Sequence, residues 1–155
     1  MKRTPIILAV VLATVAGVTA VASAEAPTTP SAHASRATEV VARHTSIGTI
    51  LTSSSGFTLY EFSRDHGSVD SCVKIHGCSQ VWPALETSGR PLAGSGVKAS
   101  LLSSIRISGG ASQVTYAGHP LYTYSADSRG ATDYVGVSAF GGSWDALSSS
   151  GHAVK

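Results

Sequence analysis

Gly56-Phe-Thr-Leu-Tyr-Glu-Phe-Ser-Arg-Asp65 and Gly118-His-Pro-Leu-Tyr-Thr-Tyr-Ser-Ala-Asp127 are the same stretch written twice, 62 residues apart. Gly, Leu, Tyr, Ser and Asp are identical, and Phe62 stands against Tyr124. Continued without a gap, the offset lays Val73 on Val135, Trp82 on Trp144 and Ala84-Leu85 on Ala146-Leu147, nine identities over 30 positions. Both tryptophans of the chain thus hold equivalent places. Self-similarity at a fixed offset marks a repeated structural unit. The expectation is two tandem units, repeat 1 over about 47–85 and repeat 2 over about 109–147. Neither half alone buries enough apolar surface, so the two are expected to pack about a pseudo-twofold axis.

The unit reads as β structure. Short β-branched and aromatic runs bounded by Gly and Ser are strand signals. They recur at Ile47–Thr52, Phe57–Phe62, Ile105–Ile107, Gln113–Tyr116 and Pro120–Tyr124. Ser53–Gly56 and Ser108–Gly110 supply turns between them. Val97–Ser104 alone has the look of a short helical segment. The fold class expected is all-β, mainly antiparallel. Within the repeated strand, residues two apart share a face. Tyr60 and Phe62 point one way, as do Tyr122 and Tyr124, while Leu59 and Leu121 point the other. Asp65 and Asp127 follow the strand, where an aspartate fixes a turn by accepting nearby amide hydrogens. Trp82 and Trp144 are expected to return over the aromatic pairs.

The first 24 residues have the layout of a secretory signal: basic Lys2 and Arg3, apolar Ile6–Val21, and the small-x-small site Ala22-Ser23-Ala24. Cleavage before Glu25 is expected. The apolar run falls just short of a membrane span, and no Cys follows it to carry a lipid. Residues 25–37 (EAPTTPSAHASRA) are poor in large apolar side chains and read as a disordered tether. Residues 38–147 read as the folded domain and 148–155 as a flexible tail. The whole chain has 11 basic and 9 acidic residues, and the signal removes two of the basic ones. A neutral mature chain without a basic cluster speaks against nucleic acid or an anionic membrane surface as partner.

With these residues in view, the chain resembles a known family. Tyr60-x-Phe62-x-x-Asp65 and Tyr122-x-Tyr124-x-x-Asp127 are similar to the Y-x-(F/W/Y)-x-x-D signature of the secreted-repeat, predicted-lipoprotein family of bacterial envelope proteins. Cys78-Ser-Gln-Val-Trp-Pro-Ala-Leu85 and Gln113-Val-Thr-Tyr-Ala-Gly-His-Pro-Leu-Tyr122 resemble its flanking stretches. The resemblance covers most of Ile47–Leu147. It implies an exported tandem-repeat protein with no assigned biochemical activity, and it assigns no catalytic residue. The chain departs from the family in lacking a lipidation Cys and in a longer loop between Cys72 and Cys78.

Four sets of residues are candidates for chemistry. Cys72 and Cys78 are the only two cysteines, and an even count in an exported chain favours a structural disulfide. C-x5-C is not the spacing of a thiol oxidoreductase. A redox or copper/zinc-handling role for this loop is the alternative, with His66, Cys72, His76 and Cys78 as the ligand set. Asp65 and Asp127 are either turn formers or a carboxylate pair brought together at the axis. Tyr60, Phe62, Trp82, Tyr122, Tyr124 and Trp144 are either core or an exposed strip for a carbohydrate or peptide. No hydrolase, zincin, P-loop or dinucleotide motif is present. The reading is a non-enzymatic module of structural or binding type at the cell exterior, without a cofactor and with an unidentified extracellular ligand.

Overall fold

The computed structural model describes residues 37–155. The expected signal peptide, residues 1–24, and residues 25–36 of the expected tether lie outside them. Among the described residues, eleven strands make up most of the regular structure. β1 (Glu39–Thr45) and β2 (Gly48–Ser53) form a hairpin, and β3 (Tyr60–Phe62) follows. A loop with a 3-10 turn at Cys72–Lys74 and a single helical turn, α1 (Cys78–Val81), leads to β4 (Glu86–Thr87) and β5 (Leu92–Ala93). β6 (Leu102–Arg106) and β7 (Ser112–Tyr116) form a second hairpin, followed by β8 (His119–Pro120). β9 (Val137–Ala139), β10 (Gly142–Leu147) and β11 (Ala153–Val154) complete the chain.

The strands form three small sheets, ordered β2-β1-β5, β11-β10-β3 with β9 also on β10, and β4-β7-β6 with β8 on β7. Every ladder is antiparallel except β1–β5. The helical content expected at 97–104 shrinks to a 3-10 turn at Ala99–Leu101. Leu102 instead opens β6, paired with Tyr116 and buried beside it in the core. Sheet register overrides local helix propensity here.

The pairing crosses between the two motif copies. β3 pairs with β10 in the register Phe62↔Trp144 and Tyr60↔Ala146. Shifting that last pair by 62 residues on each side gives Tyr122 and Ala84, which are also bridged. The motif strands meet directly at Tyr60 and Tyr122, whose amides exchange hydrogen bonds, Tyr60 N–H to Tyr122 O at 3.0 Å and Tyr122 N–H to Tyr60 O at 2.9 Å.

The alternation along the motif strand sorts side chains into two cores. Leu59 and Leu121 join Val40, Leu51, Val114, Tyr116 and Leu147 in an aliphatic cluster. Tyr60, Phe62 and Tyr122 join Trp82, Trp144, Cys72 and Cys78 in an aromatic one.

The segment 148–155, expected as a flexible tail, carries a strand. Its Ser and Gly content reads as flexible, yet β11 pairs with β10 through Ala146↔Val154 and Leu147↔Ala153. Ser148 N–H donates to His152 O at 2.9 Å, and Tyr116 OH donates to Ser149 O at 2.8 Å. These long-range partners, invisible in local composition, fix the segment. Gly151 is buried there with φ +85°, and a Cβ on it would lie 2.4 Å from Ala117 Cβ. Gly151→Ala is therefore expected to cost about 1 kcal/mol or more from backbone strain plus the clash, read as a lower urea midpoint at unchanged m-value.

Candidate functional site

The strongest concentration of unusual chemistry is the aromatic core. Trp82 and Trp144 stack at its centre, with centroids 4.1 Å apart and planes within 3°. Each tryptophan meets the tyrosine of its own motif copy edge-on: Tyr60 with Trp82 at 5.1 Å, and Tyr122 with Trp144 at 5.1 Å. Each also meets the second aromatic of the other copy, Phe62 stacking on Trp144 at 4.2 Å and Tyr124 tilting on Trp82 at 4.6 Å. Offset stacks and edge contacts of this kind add about 0.5–1.5 kcal/mol each beyond area burial.

The motif aspartates close the arrangement. Tyr60 OH donates to Asp127 Oδ2 at 3.0 Å, and Tyr122 OH donates to Asp65 Oδ2 at 2.8 Å. Each phenol is thus held by the carboxylate of the opposite copy. The other oxygen of Asp65 accepts Ser71 N–H at 2.8 Å, and that of Asp127 accepts Ser128 N–H at 3.0 Å. Both aspartates fix a turn and cap a phenol at once. Burial raises the carboxyl pKa of each, with the tyrosine hydrogen bond pulling the other way. Burial, then the facing carboxylate, holds the Tyr60 and Tyr122 phenols far above their ordinary range. The like charge that bears on Asp65 is Asp70, and the one that bears on Asp127 is Asp133. Each motif aspartate is engaged by the tyrosine of the opposite copy.

Tyr60, Phe62, Trp82, Tyr122 and Trp144 are all at most 1% exposed. Five of the six aromatics of the set are therefore core, and Tyr124 is half-buried. The tyrosines face inward because the strand alternation puts them on the face where Trp82 and Trp144 pack. Cys72 and Cys78 lie at disulfide distance, Cα atoms 5.4 Å apart, fully buried against Trp82. His66 and His76 are exposed on the same loop. Among the described residues, no three or more His, Cys, Asp or Glu side chains are placed to hold a metal, so the set His66, Cys72, His76 and Cys78 is not assembled.

One polar cluster escaped the sequence reading. Glu61 and Asp145 stand opposite each other on β3 and β10 and are 8% and 4% exposed. His119 Nδ1 pairs with Glu61 Oε2 at 2.5 Å, and Ser143 Oγ donates to Asp145 Oδ2 at 3.1 Å. Burial raises the Glu61 pKa, opposed by His119 and reinforced by Asp145 and Asp65. The signal was present as a departure from the repeat, since the corresponding positions are Thr123 and Pro83. Beyond the core, a polar cleft of about 470 Å³ lies between Glu86–Gly89 and Ser104, Arg106 and Gly110–Ser112.

The fold and this core define a class: a small, mainly antiparallel β module whose two motif copies hold each other through a shared aromatic centre. Within it, residues 103–148 match the model of a family described as a secreted repeat of unknown function. The match runs from β6 to just beyond β10. No curated protein and no solved structure matches the chain.

Two outcomes follow from the clasp. A double-mutant cycle of Tyr60→Phe with Asp127→Asn is expected to give a coupling of about 0.5–3 kcal/mol. The cycle of Tyr60→Phe with Asp65→Asn should give much less, because Asp65 serves the other phenol. Both are read by urea unfolding.

The pH dependence is the second. Asp65, Asp127 and Glu61 bind their protons more tightly folded than unfolded, since each pKa is raised. Their contribution is fully present below the ordinary carboxyl range and is lost as pH rises through the raised values. The same sign holds for Tyr60 and Tyr122 from about pH 10 upward, where the unfolded phenols ionise. Stability is thus expected to fall on going from about pH 4 to neutrality and again above about pH 10. Urea midpoints across that range check both limbs. A midpoint rising steadily from pH 4 to 7 would contradict the first.

Proposed function

We propose that this chain is a secreted repeat protein of structural or binding type that works at the cell exterior and has no catalytic activity of its own. In this reading two copies of one unit are related by a pseudo-twofold axis between Trp82 and Trp144. The protein is exported by cleavage before Glu25, carries no lipid, and keeps Cys72 and Cys78 as an inert disulfide.

The observation that carries the reading is the reciprocal clasp. The motif tyrosines are turned inward and bound to the opposite aspartates, Tyr60 to Asp127 and Tyr122 to Asp65. A signature consumed by its own fold is a device for pairing two units, not for presenting groups to a substrate. The family description, a secreted repeat of unknown function, supports the location and the repeat. The buried position of Cys72 and Cys78 supports the inert disulfide over the redox and copper/zinc alternatives, because reactive thiols are accessible and electropositive. Any ligand would meet the outer surface, where the cleft between Glu86–Gly89 and Ser104–Ser112 offers charge of both signs through Glu86 and Arg106.

The test is the native intact mass of protein collected from a secreting host's medium. The expected mass is that of Glu25–Lys155 less two hydrogens, with no adduct. A species with both thiols reduced and a bound metal would overturn the inert-disulfide reading, and an uncleaved or lipid-bearing chain would overturn the secreted one.

A further inference from the structure

Stable packing explains why the aromatic rings are buried. It does not dictate the order of the rings, or that the hydroxyl partners be carboxylates rather than carbonyls. Four rings form a continuous series from the interior outward: Trp144, Trp82, Tyr124 and Tyr134. Successive centroids are 4.1, 4.6 and 4.0 Å apart. Tyr124 and Tyr134, at the outer end, are only half-buried. Flanking the inner end are Tyr60, 5.1 Å from Trp82, and Tyr122, 5.1 Å from Trp144.

The hydrogen-bond partners differ along the series in a way that matters for electron loss. Tyr116, outside the series, satisfies its hydroxyl with the carbonyl of Ser149, a group that cannot take a proton. Tyr60 and Tyr122 instead donate to carboxylates, which can. Trp144 Nε1 donates to the Ala139 carbonyl at 3.3 Å, and Trp82 Nε1 has no partner among the described residues. A tryptophan that loses an electron here keeps its proton and is left as a buried cation, which is costly in an apolar site. A tyrosine that loses an electron to its neighbour hands its proton to the facing aspartate and is left neutral. The raised affinity of Asp65 and Asp127 for protons, set first by their burial, favours that transfer.

We propose that the aromatic core is a one-electron relay: an oxidant at the Tyr124–Tyr134 surface draws an electron through the stacked tryptophans, and the vacancy comes to rest as a neutral radical on Tyr60 or Tyr122. The co-reactant is a strong one-electron oxidant of the exterior, of the oxidised metal-complex or peroxide-derived ferryl class. It is reduced by one electron. That electron leaves through Tyr134 and Tyr124 and is replaced from Tyr60 by way of Trp82, or from Tyr122 by way of Trp144 and Trp82. The O–H bond of Tyr60 breaks, and its proton crosses the 3.0 Å hydrogen bond to Asp127 Oδ2, giving a carboxylic acid beside a phenoxyl radical. For Tyr122 the acceptor is Asp65 Oδ2. A one-electron donor at the surface reverses each step and returns the proton. The proposal goes beyond the structural or binding reading and rests on it only for the exterior location.

The experiment oxidises the folded, secreted protein with photogenerated tris(bipyridine)ruthenium(III) and follows it by freeze-quench electron paramagnetic resonance. The persistent signal expected is a neutral tyrosyl radical, absent from the Tyr60→Phe/Tyr122→Phe double variant, which keeps both rings. Because that variant also loses the clasp, a second one is needed. Tyr134→Phe leaves the clasp intact and should slow radical formation several-fold without changing the signal or the circular dichroism. In heavy water the parent radical should form more slowly, since a proton moves with the electron. A tryptophan radical as the only persistent species would overturn the proposal. So would an unchanged tyrosyl signal in the double variant, or a Tyr134→Phe protein oxidised as fast as the parent.

Discussion

The contact on which this structure depends is the face-to-face stack of Trp82 on Trp144, 4.1 Å apart and nearly parallel. A domain of this size has little core to spare, and its two largest side chains are placed against each other at the centre. Everything else in the aromatic cluster is arranged around that pair. Tyr60 and Tyr122 stand edge-on to it, Phe62 and Tyr124 lie against its outer faces, and the Cys72–Cys78 pair closes one side. Because each tryptophan takes one aromatic from either motif copy, neither half can complete its core without the other. That dependence ties the two motif copies to a single aromatic core.

Large buried aromatics bring polar groups with them, and the hydroxyls of Tyr60 and Tyr122 need partners. The chain meets this need with aspartates that come from the opposite copy and also organise their own turns. A phenol–carboxylate hydrogen bond is stronger than one between neutral groups, so the polar ends of the tyrosines fix orientation while the rings supply burial. Burial raises the proton affinity of the carboxyls and the phenols alike, and the hydrogen bond between them raises the phenols further while pulling the carboxyls back. This is why stability, titration and the electron-transfer chemistry proposed for the core all trace to the same four side chains, Tyr60, Asp127, Tyr122 and Asp65.

The two copies are not equal, and their differences carry information. The cysteine pair belongs to the first copy, while the second has Tyr134 and Phe140 at those positions. Tyr134 extends the ring series to the surface, which the buried Cys72 cannot do. Glu61 and Asp145 face each other where the corresponding positions hold Thr123 and Pro83. Opposed carboxyls on one sheet face are unfavourable, and His119 relieves the strain on one of them. Departures between the two copies at otherwise matching places mark positions that pairing alone does not dictate.

Much of the outline was legible in the residues alone. Alternation within the motif determined that Leu59 and Leu121 face one core and Tyr60, Phe62 and Tyr122 the other, because a strand's side-chain period is two wherever the strand lies. The fixed offset determined that Trp82 and Trp144 hold equivalent places. What the residues could not say was whose partner each would be. Asp65 follows Tyr60 by five positions, so spacing points to its own copy, yet its phenol is Tyr122. Only the tertiary structure decided that exchange, since a periodic pattern is unchanged when partners are swapped between identical units. It also decided the order of 148–155, which rests on Tyr116 and β10 far back in the chain. Local composition specifies what a segment can do by itself, and long-range hydrogen bonds specify what it does once the chain has closed around it.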